Sequence, residues 1–124
     1  MIDRLDHFVL TVENIEKTKR FYCGCLGMEY SQFGEGRQAL HFGASKINLH
    51  IAGKEFEPKA HLAKPGTADL CFIIQGSLEE MKKKLSRFKI EILEGPVQRT
   101  GATGPITSLY VRDPDLNLIE LSIY

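Results

Sequence analysis

Four short segments of the chain alternate apolar residues with polar ones at every second position. They are residues 5–12, 47–51, 69–74 and 117–124. Because successive side chains of a β-strand point to opposite faces of its sheet, a period of two predicts half-buried strands. Each of these strands is therefore expected to have one aliphatic or aromatic face and one polar face.

The polar face of each predicted strand carries one ionisable residue. In the last segment Ile119, Leu121 and Ile123 form the apolar face, and Glu120 lies between them. The corresponding residues of the four segments are two imidazoles and two carboxylates: His7, His50, Asp69 and Glu120. Their shared position opposite an apolar face indicates a single polar site.

Two stretches have helical rather than strand periodicity. The spacing of residues 15–25 predicts a helix behind Asn14, which is a favourable N-cap residue. A second helix is predicted over residues 78–88. It follows a capping box, in which Ser77 and Glu80 can each satisfy a free backbone N–H group.

Strand-like runs complete a pattern that occurs twice. After the first helix they are residues 29–33, 38–42 and 46–51, and after the second they are 90–93 (extending to 99), 107–112 and 118–123. The sequence therefore predicts an α+β domain of two paired βαβββ modules, which form a curved sheet around a cavity. The expected limits are 1–53 for module one, 54–65 for a surface linker and 66–124 for module two.

Composition and charge narrow the possible partners. The 124 residues fit one compact domain, and the 16 basic and 16 acidic residues leave a formal net charge of zero. This balance argues against binding to nucleic acid or to an anionic membrane. The chain has no long apolar run, and its N-terminus lacks the apolar region of a signal peptide, so a cytoplasmic location is expected.

The three cysteines predict reduced thiols rather than a disulfide framework. Their number is odd, and Cys23 and Cys25 are separated by one residue instead of the two found in zinc ribbons and thioredoxins. We expect these two and Cys71 to serve mainly in packing.

Three longer motifs resemble the vicinal oxygen chelate superfamily. This superfamily includes glyoxalase I, fosfomycin-resistance enzymes, methylmalonyl-CoA epimerase and extradiol dioxygenases. The motifs lie at residues 5–12 (LDHFVLTV), 18–28 (TKRFYCGCLGM) and 112–121 (RDPDLNLIEL). Residues 53–60 and 94–102 are similar to glyoxalase-domain-containing proteins of uncertain substrate.

The resemblance implies an open, barrel-like cavity and a divalent metal held by the first and last strands of the modules. Carried over by position, the metal ligands are His7, His50, Asp69 and Glu120, the four residues that alternation singles out. Glyoxalase I-like sites usually have a carboxylate where His50 lies and a histidine where Asp69 lies. Here the two types are exchanged, and the total of two nitrogens and two carboxylates is kept.

Such a ligand set suits Zn²⁺, Ni²⁺, Mn²⁺, Fe²⁺ or Co²⁺, and the sequence does not choose among them. A substrate with oxygens on adjacent carbons would chelate the metal, which would stabilise developing charge as a Lewis acid. Glu120 is the first candidate for a catalytic base and Asp69 is the second.

Four further residues are predicted to contact the small-molecule substrate. Thr11 shares the polar face of His7, and Ser108 and Tyr110 alternate with apolar neighbours. Arg99 could pair with an anionic group of the substrate. It precedes the glycine-rich residues 100–105, which we expect to form a mobile lid.

The resemblance gives three interpretations of function. The first is a metal-dependent lyase or isomerase similar to glyoxalase I, acting on a small oxygenated metabolite or thiol adduct. The second is an Fe²⁺ dioxygenase, in which His7, His50 and one carboxylate approximate a two-histidine, one-carboxylate set. The third is a metal-free drug-binding protein of the bleomycin-resistance type. A homodimer is expected, because this family often completes its cavity between chains.

Overall fold

The computed structural model describes all 124 residues, which divide into two compact units. Unit 1 is Met1–Thr67 and unit 2 is Ala68–Tyr124. Each unit has one four-stranded mixed sheet and one helical region, in the order strand, helix, strand, strand, strand. The α+β class and the two βαβββ modules predicted from the sequence are therefore confirmed.

Unit 1 has the strand order β1-β4-β3-β2. Its elements are β1 (His7–Val12), α1 (Ile15–Lys19), β2 (Glu29–Phe33), β3 (Arg37–Phe42) and β4 (Ser45–Ile51). Strands β1 and β4 are parallel, and the other pairs are antiparallel. The predicted cap of α1 is present, since Lys17 N donates to Asn14 Oδ1 at 2.9 Å.

The first helical region is not uniform. The sequence predicts one helix over residues 15–25, but α1 ends at Lys19 and a π-helix follows over Arg20–Cys25. In this segment Leu26 N donates to Phe21 O, five residues back. The segment still supplies core residues, because Phe21, Tyr22 and Cys25 are buried along with the aliphatic face of the unit 1 sheet.

Unit 2 has the strand order β5-β8-β7-β6. Its elements are β5 (Asp69–Ile73), α2 (Leu78–Arg87), β6 (Glu94–Thr100), β7 (Pro105–Arg112) and β8 (Leu118–Ile123). At the start of α2, Ser77 Oγ accepts a hydrogen bond from Glu80 N at 3.1 Å, as half of the predicted capping box requires. No helix of the protein has the length and apolar character needed to cross a bilayer.

The strand predicted from residue 90 begins later, at Glu94. At the end of α2, Ile90 N donates to Leu85 O and Lys89 has a positive φ of 58°, so residue 90 still belongs to the helix end. Leu93 N then donates to Tyr110 O at 2.8 Å, which joins the chain to β7 directly before β6 begins. The register with β7 then shifts between Glu94 and Val97. Gly95 lies at this irregularity, where an added Cβ would come within 2.3 Å of the Ser108 carbonyl oxygen.

The turn between β7 and β8 is built on a buried Asp–Asn pair. Asp113 Oδ1 accepts hydrogen bonds from the backbone N–H groups of Asp115 and Asn117, and Asp113 Oδ2 accepts one from Asn117 Nδ2 at 2.8 Å. Asn117 Oδ1 in turn accepts from Ala68 N at 2.9 Å. The pair therefore ties the start of β8 to the residue that precedes β5.

We predict that Asn117→Ala lowers the free energy of unfolding by about 2–4 kcal/mol, because it removes a hydrogen bond to the buried Asp113 carboxylate and the acceptor of the Ala68 N–H group. Urea unfolding followed by circular dichroism measures this loss. The matched control is Asn14→Ala, which removes an exposed helix cap and should cost about 1 kcal/mol. A loss at Asn117 no larger than that at Asn14 would contradict the structural role assigned to this turn.

Candidate functional site

The predicted site residues of unit 1 lie on the polar face of its sheet. In the parallel pair of β1 and β4, His7 lies opposite Lys46 and Thr11 lies opposite His50. The two histidines are thus four residues apart along the strands, on the order of 13 Å at the usual rise per residue. Unit 1 places Thr11 next to His50, but it does not bring His7 and His50 together.

His50 is a buried imidazole without a hydrogen-bond partner. Its relative exposure is 3%, and neither ring nitrogen is bonded. The ring of Phe56 meets it edge-on, with the centroids 5.5 Å apart. Burial, with a further contribution from the charge of Arg37, lowers the pKa of His50 and so favours the neutral ring.

A second unpartnered atom lies on the same face of β4. Asn48 is 7% exposed, and its Oδ1 has no hydrogen-bond donor. Buried polar atoms are normally bonded, because an unmade hydrogen bond costs roughly 1–3 kcal/mol. The His50 ring nitrogens and Asn48 Oδ1 are therefore the atoms of unit 1 best placed to receive a ligand.

His7 has a carboxylate behind its ring. Its Nδ1 lies 2.8 Å from Asp6 Oδ2, and this hydrogen bond is the main reason that the pKa of Asp6 is lowered. A carboxylate on one ring nitrogen is the arrangement that commonly orients a metal-binding histidine through its other nitrogen. His7 thus leaves Nε2 available to a ligand.

In unit 2, hydroxyl groups hold Glu120. Ser108 Oγ donates to Glu120 Oε2 at 2.6 Å, and Ser122 Oγ donates to the same oxygen at 3.3 Å. The two serine oxygens lie 2.7 Å apart, and both residues are fully buried. Tyr110 lies directly opposite Glu120 in the register of β7 and β8. The carboxylate is therefore fixed in one orientation.

Cys71, rather than Asp69, is the direct neighbour of Glu120 across the strand pair. The register of β5 and β8 places Cys71 opposite Glu120 and Asp69 opposite Leu118, so Asp69 is a diagonal neighbour on the same face. Cys71 is exposed and its Sγ lies 3.4 Å from Ser122 Oγ.

The predicted packing role fits Cys25, which is fully buried, but is wrong for Cys71. The number and spacing of the cysteines do not show which face of a strand Cys71 lies on. Its position two residues after Asp69 in an alternating strand does, because residues two apart lie on the same face.

Arg99 is occupied by three acceptors of its own unit. Its Nε donates to the Tyr110 hydroxyl at 3.0 Å, its Nη2 to Glu94 Oε1 at 3.2 Å and its Nη1 to the Gln98 carbonyl oxygen at 2.9 Å. Residues 100–105, predicted as a lid, include the turn between β6 and β7. In this turn Thr103 N donates to the hydroxyl of Tyr124 at 3.1 Å.

A cavity of about 360 Å³ opens beside Glu120. Cys71 and Glu120 contribute polar atoms to its lining, and Ile73 and Ile106 contribute apolar ones; the other lining residues are Arg99, Thr100, Gly101, Ala102 and Tyr124. Its volume lies in the range of small-molecule sites. Within either unit, no group of three His, Cys, Asp or Glu side chains is arranged to hold a metal ion.

Comparison with known proteins gives a consistent relationship. The family model of the Glyoxalase/Bleomycin resistance protein/Dioxygenase superfamily matches residues 4–121. The chain is 58% identical over 120 residues to the glyoxalase domain-containing protein RDO1 of Mycosarcoma maydis, covering 97% of this chain and 68% of that protein. It is 54% identical over 124 residues to the virulence protein STM3117 of Salmonella typhimurium, covering all of this chain and 86% of that protein.

Solved structures extend the likeness to the fold. An integron cassette protein from the mobile metagenome of V. Cholerae has a TM-score of 0.97 and 55% identity, covering 100% of this chain and 97% of that one. Two more distant structures share the fold alone. They are a lactoylglutathione lyase from Agrobacterium tumefaciens (TM-score 0.74, 18% identity, 99% and 95% coverage) and TnmS3, an antibiotic binding protein from Streptomyces (TM-score 0.75, 20% identity, 98% and 96% coverage).

We predict slow alkylation of Cys71 by iodoacetamide in metal-free protein, although the residue is exposed. Partial desolvation of the thiol raises the pKa of Cys71, and the negative charge of Glu120 adds a smaller contribution in the same direction, against the opposing effect of the Ser122 hydrogen bond. The fraction of reactive thiolate is therefore reduced. Peptide-resolved mass spectrometry at pH 8 measures the rate against a small-molecule thiol.

Glu120→Gln should speed this alkylation a few-fold by removing the charge, whereas the control Glu94→Gln should leave it unchanged. Equal rates in the wild type and Glu120→Gln would show that Glu120 does not act on the Cys71 thiol.

Proposed function

Since the chain belongs to the Glyoxalase/Bleomycin resistance protein/Dioxygenase superfamily, we propose that it is a metal-dependent lyase or isomerase similar to glyoxalase I. Its substrate would be a small oxygenated metabolite or thiol adduct. The observation that carries the proposal is His50, a buried imidazole whose lowered pKa favours the neutral form and whose two ring nitrogens have no partner. A neutral imidazole nitrogen is the form that binds a metal.

The residues proposed as metal ligands are His7, His50, Asp69 and Glu120, with the two histidines as alternatives to each other, because they lie on the order of 13 Å apart along their strands. His50 offers an unbonded ring nitrogen, and His7 offers Nε2 while Asp6 holds Nδ1. Glu120 has a fixed carboxylate, and Asp69 is exposed on the same face of the unit 2 sheet. Nitrogen and carboxylate ligands suit Zn²⁺, Ni²⁺, Mn²⁺, Fe²⁺ and Co²⁺. When bound, such an ion supplies Lewis-acid stabilisation of charge that develops on substrate oxygens.

The proposed proton transfer belongs to Glu120. Its Oε2 is held by two serine hydroxyls, which keep the carboxylate in a constant orientation toward the cavity of unit 2. Ser108 is fully buried and donates to Glu120, so it would orient this base rather than contact the substrate. Asp69 is the second carboxylate available to exchange a proton.

A metal-free binding protein is the second candidate function. The cavity beside Glu120 favours it, because its volume of about 360 Å³ and the apolar side chains of Ile73 and Ile106 can hold a small molecule without catalysis. TnmS3, which shares the fold, is described as an antibiotic binding protein.

An Fe²⁺ dioxygenase would use the same ligand types as the metal-dependent lyase or isomerase, and a measurement of oxygen consumption would separate these two functions.

We predict near-stoichiometric metal in the purified wild type, measured by elemental mass spectrometry after reloading and desalting. His50→Ala and Glu120→Ala should each reduce the retained metal by about 10-fold or more, since each removes a proposed ligand. His61→Ala is the matched control, because His61 is an exposed histidine of unit 1 and should retain wild-type metal.

Asp69→Ala separates two roles for that carboxylate. Metal lost with Asp69 makes it a ligand, and metal kept while turnover falls makes it a proton-transfer group. A wild type that takes up none of Zn²⁺, Ni²⁺, Mn²⁺, Fe²⁺ and Co²⁺ would contradict the metal-dependent mechanism. Metal-free binding of a small molecule would then be the better-supported function.

We also propose that the protein is a homodimer. Val9 and Ile73 are 45% and 53% exposed, and each lies on the polar face of its own sheet, where an apolar residue gains by being covered. Light scattering should therefore give twice the mass of one chain. Val9→Asp and Ile73→Asp should shift the mass toward that of a monomer, and an unchanged mass in both variants would exclude these residues from the interface.

A further inference from the structure

Arg37 is a charged side chain that is held in place without an acceptor. Its guanidinium carbon lies 4.8 Å from the centroid of the Phe56 ring and 5.6 Å from that of Phe33. It makes no hydrogen bond and no ion pair. The two rings restrict the side chain by cation–π contact, while all its N–H donors stay available.

This state contrasts with that of Arg99. The three guanidinium nitrogens of Arg99 are already engaged by Tyr110, Glu94 and Gln98. A substrate anion at Arg99 would have to compete with Glu94, whereas an anion at Arg37 would displace no protein acceptor. Of these two arginines, Arg37 is therefore the one prepared to bind an external anion.

Arg37 belongs to the same group of residues as the unpartnered His50. Phe56 contacts both, with its ring 5.5 Å from that of His50 and 4.8 Å from the Arg37 guanidinium. The register of β3 and β4 pairs Gln38 with Leu49, so the next positions, Arg37 and His50, are neighbours on the polar face. An anion at Arg37 would thus lie close to unbonded, buried ring nitrogens.

The charged side chains around Arg37 and His50 favour the binding of an anion. Lys46 Nζ lies 4.1 Å from the centroid of the Phe33 ring, and Arg37 contacts the same ring. The carboxylate that acts on His50 is Glu55, and its Oε2 accepts a hydrogen bond from Gly53 N. The two cations therefore have no carboxylate bound to them.

We propose that Arg37 is the receptor for an anionic group of the ligand, and that the ligand class is a small oxyanion, either a carboxylate or a phosphate or phosphonate. A guanidinium binds such groups through two parallel N–H···O bonds, and its restriction by Phe33 and Phe56 reduces the entropy lost on binding. The proposal rests on the proposed function for the reaction at His50, but the anion contact itself needs no metal.

Isothermal titration calorimetry of the metal-free full chain tests this assignment, with pyruvate and inorganic phosphate as probes in a buffer without either type of anion. The wild type should bind at least one of the probes at one site per chain. Binding of pyruvate alone identifies a carboxylate site, and binding of phosphate alone identifies a phosphate site. Arg37→Met keeps much of the packing against Phe56 but removes the charge, and should weaken binding by at least 10-fold.

Two control variants separate the anion contact from other effects. Arg87→Met removes an exposed charge at the end of α2 and is the control that should bind within twofold of the wild type. Arg99→Gln changes the arginine that lines the unit 2 cavity, and it should weaken binding less than Arg37→Met does. Arg37→Lys keeps the charge but not the planar fork, so it should bind between the wild type and Arg37→Met. A melting temperature for each variant shows that it is folded, and Arg37→Lys gives the answer if Arg37→Met is not.

Three outcomes would overturn the proposal: a wild type that binds neither probe, an Arg37→Met variant that binds as the wild type does, or a loss that follows Arg99→Gln instead. Because these titrations contain no metal, they are independent of the metal-content measurement. Metal uptake without anion binding removes the role of Arg37 alone. Anion binding without metal uptake removes the metal-dependent function and keeps Arg37 as the receptor of a binding protein.

Discussion

Burial of one aliphatic face on each four-stranded sheet is the constraint on which the other features depend. Residues such as Leu40, Ile47, Leu109 and Ile119 are fully buried. A shift of one residue in any of these strands would turn its apolar side chains to the opposite face. The register is therefore strongly determined. The same register fixes which polar side chains are neighbours on the other face, such as Thr11 with His50 and Cys71 with Glu120.

The buried polar side chains on the two sheets differ in how fully they are hydrogen-bonded. In unit 2 Glu120 accepts hydrogen bonds from Ser108 and Ser122, whose own hydroxyl oxygens lie 2.7 Å apart, so the carboxylate is held within a connected network. In unit 1 the ring of His50 is almost completely buried and has no partner. Because an unmade buried hydrogen bond is costly, the unbonded histidine is the stronger sign of a missing ligand, and the bonded carboxylate is the stronger sign of a fixed chemical group.

Arg37 and Arg99 carry the same charge but differ in the groups that surround them, which leave the N–H donors of Arg37 free and occupy those of Arg99. Glu94 and Tyr110 occupy Arg99, while Phe33 and Phe56 hold Arg37 without consuming its donors. Phe56 comes from the segment that follows β4, which has no regular secondary structure, and its ring contacts both Arg37 and His50. This segment thus does more than connect the two modules, because it completes the surroundings of a candidate ligand-binding histidine.

The sequence by itself determined the two βαβββ modules and the polar-face positions of His7, His50 and Glu120, because a period of two is a local property of the strand. The bounds of the second helix were also accessible, since its cap at Ser77 and its apolar spacing are local.

Tertiary structure decided the late start of β6, the exposure of Cys71 beside Glu120 and the contrast between Arg37 and Arg99. These depend on which strands pair, in which register, and on where Phe56 and Glu94 are placed. Such contacts join residues that are distant along the chain or separated by a β-bulge, and no local pattern of the sequence encodes them.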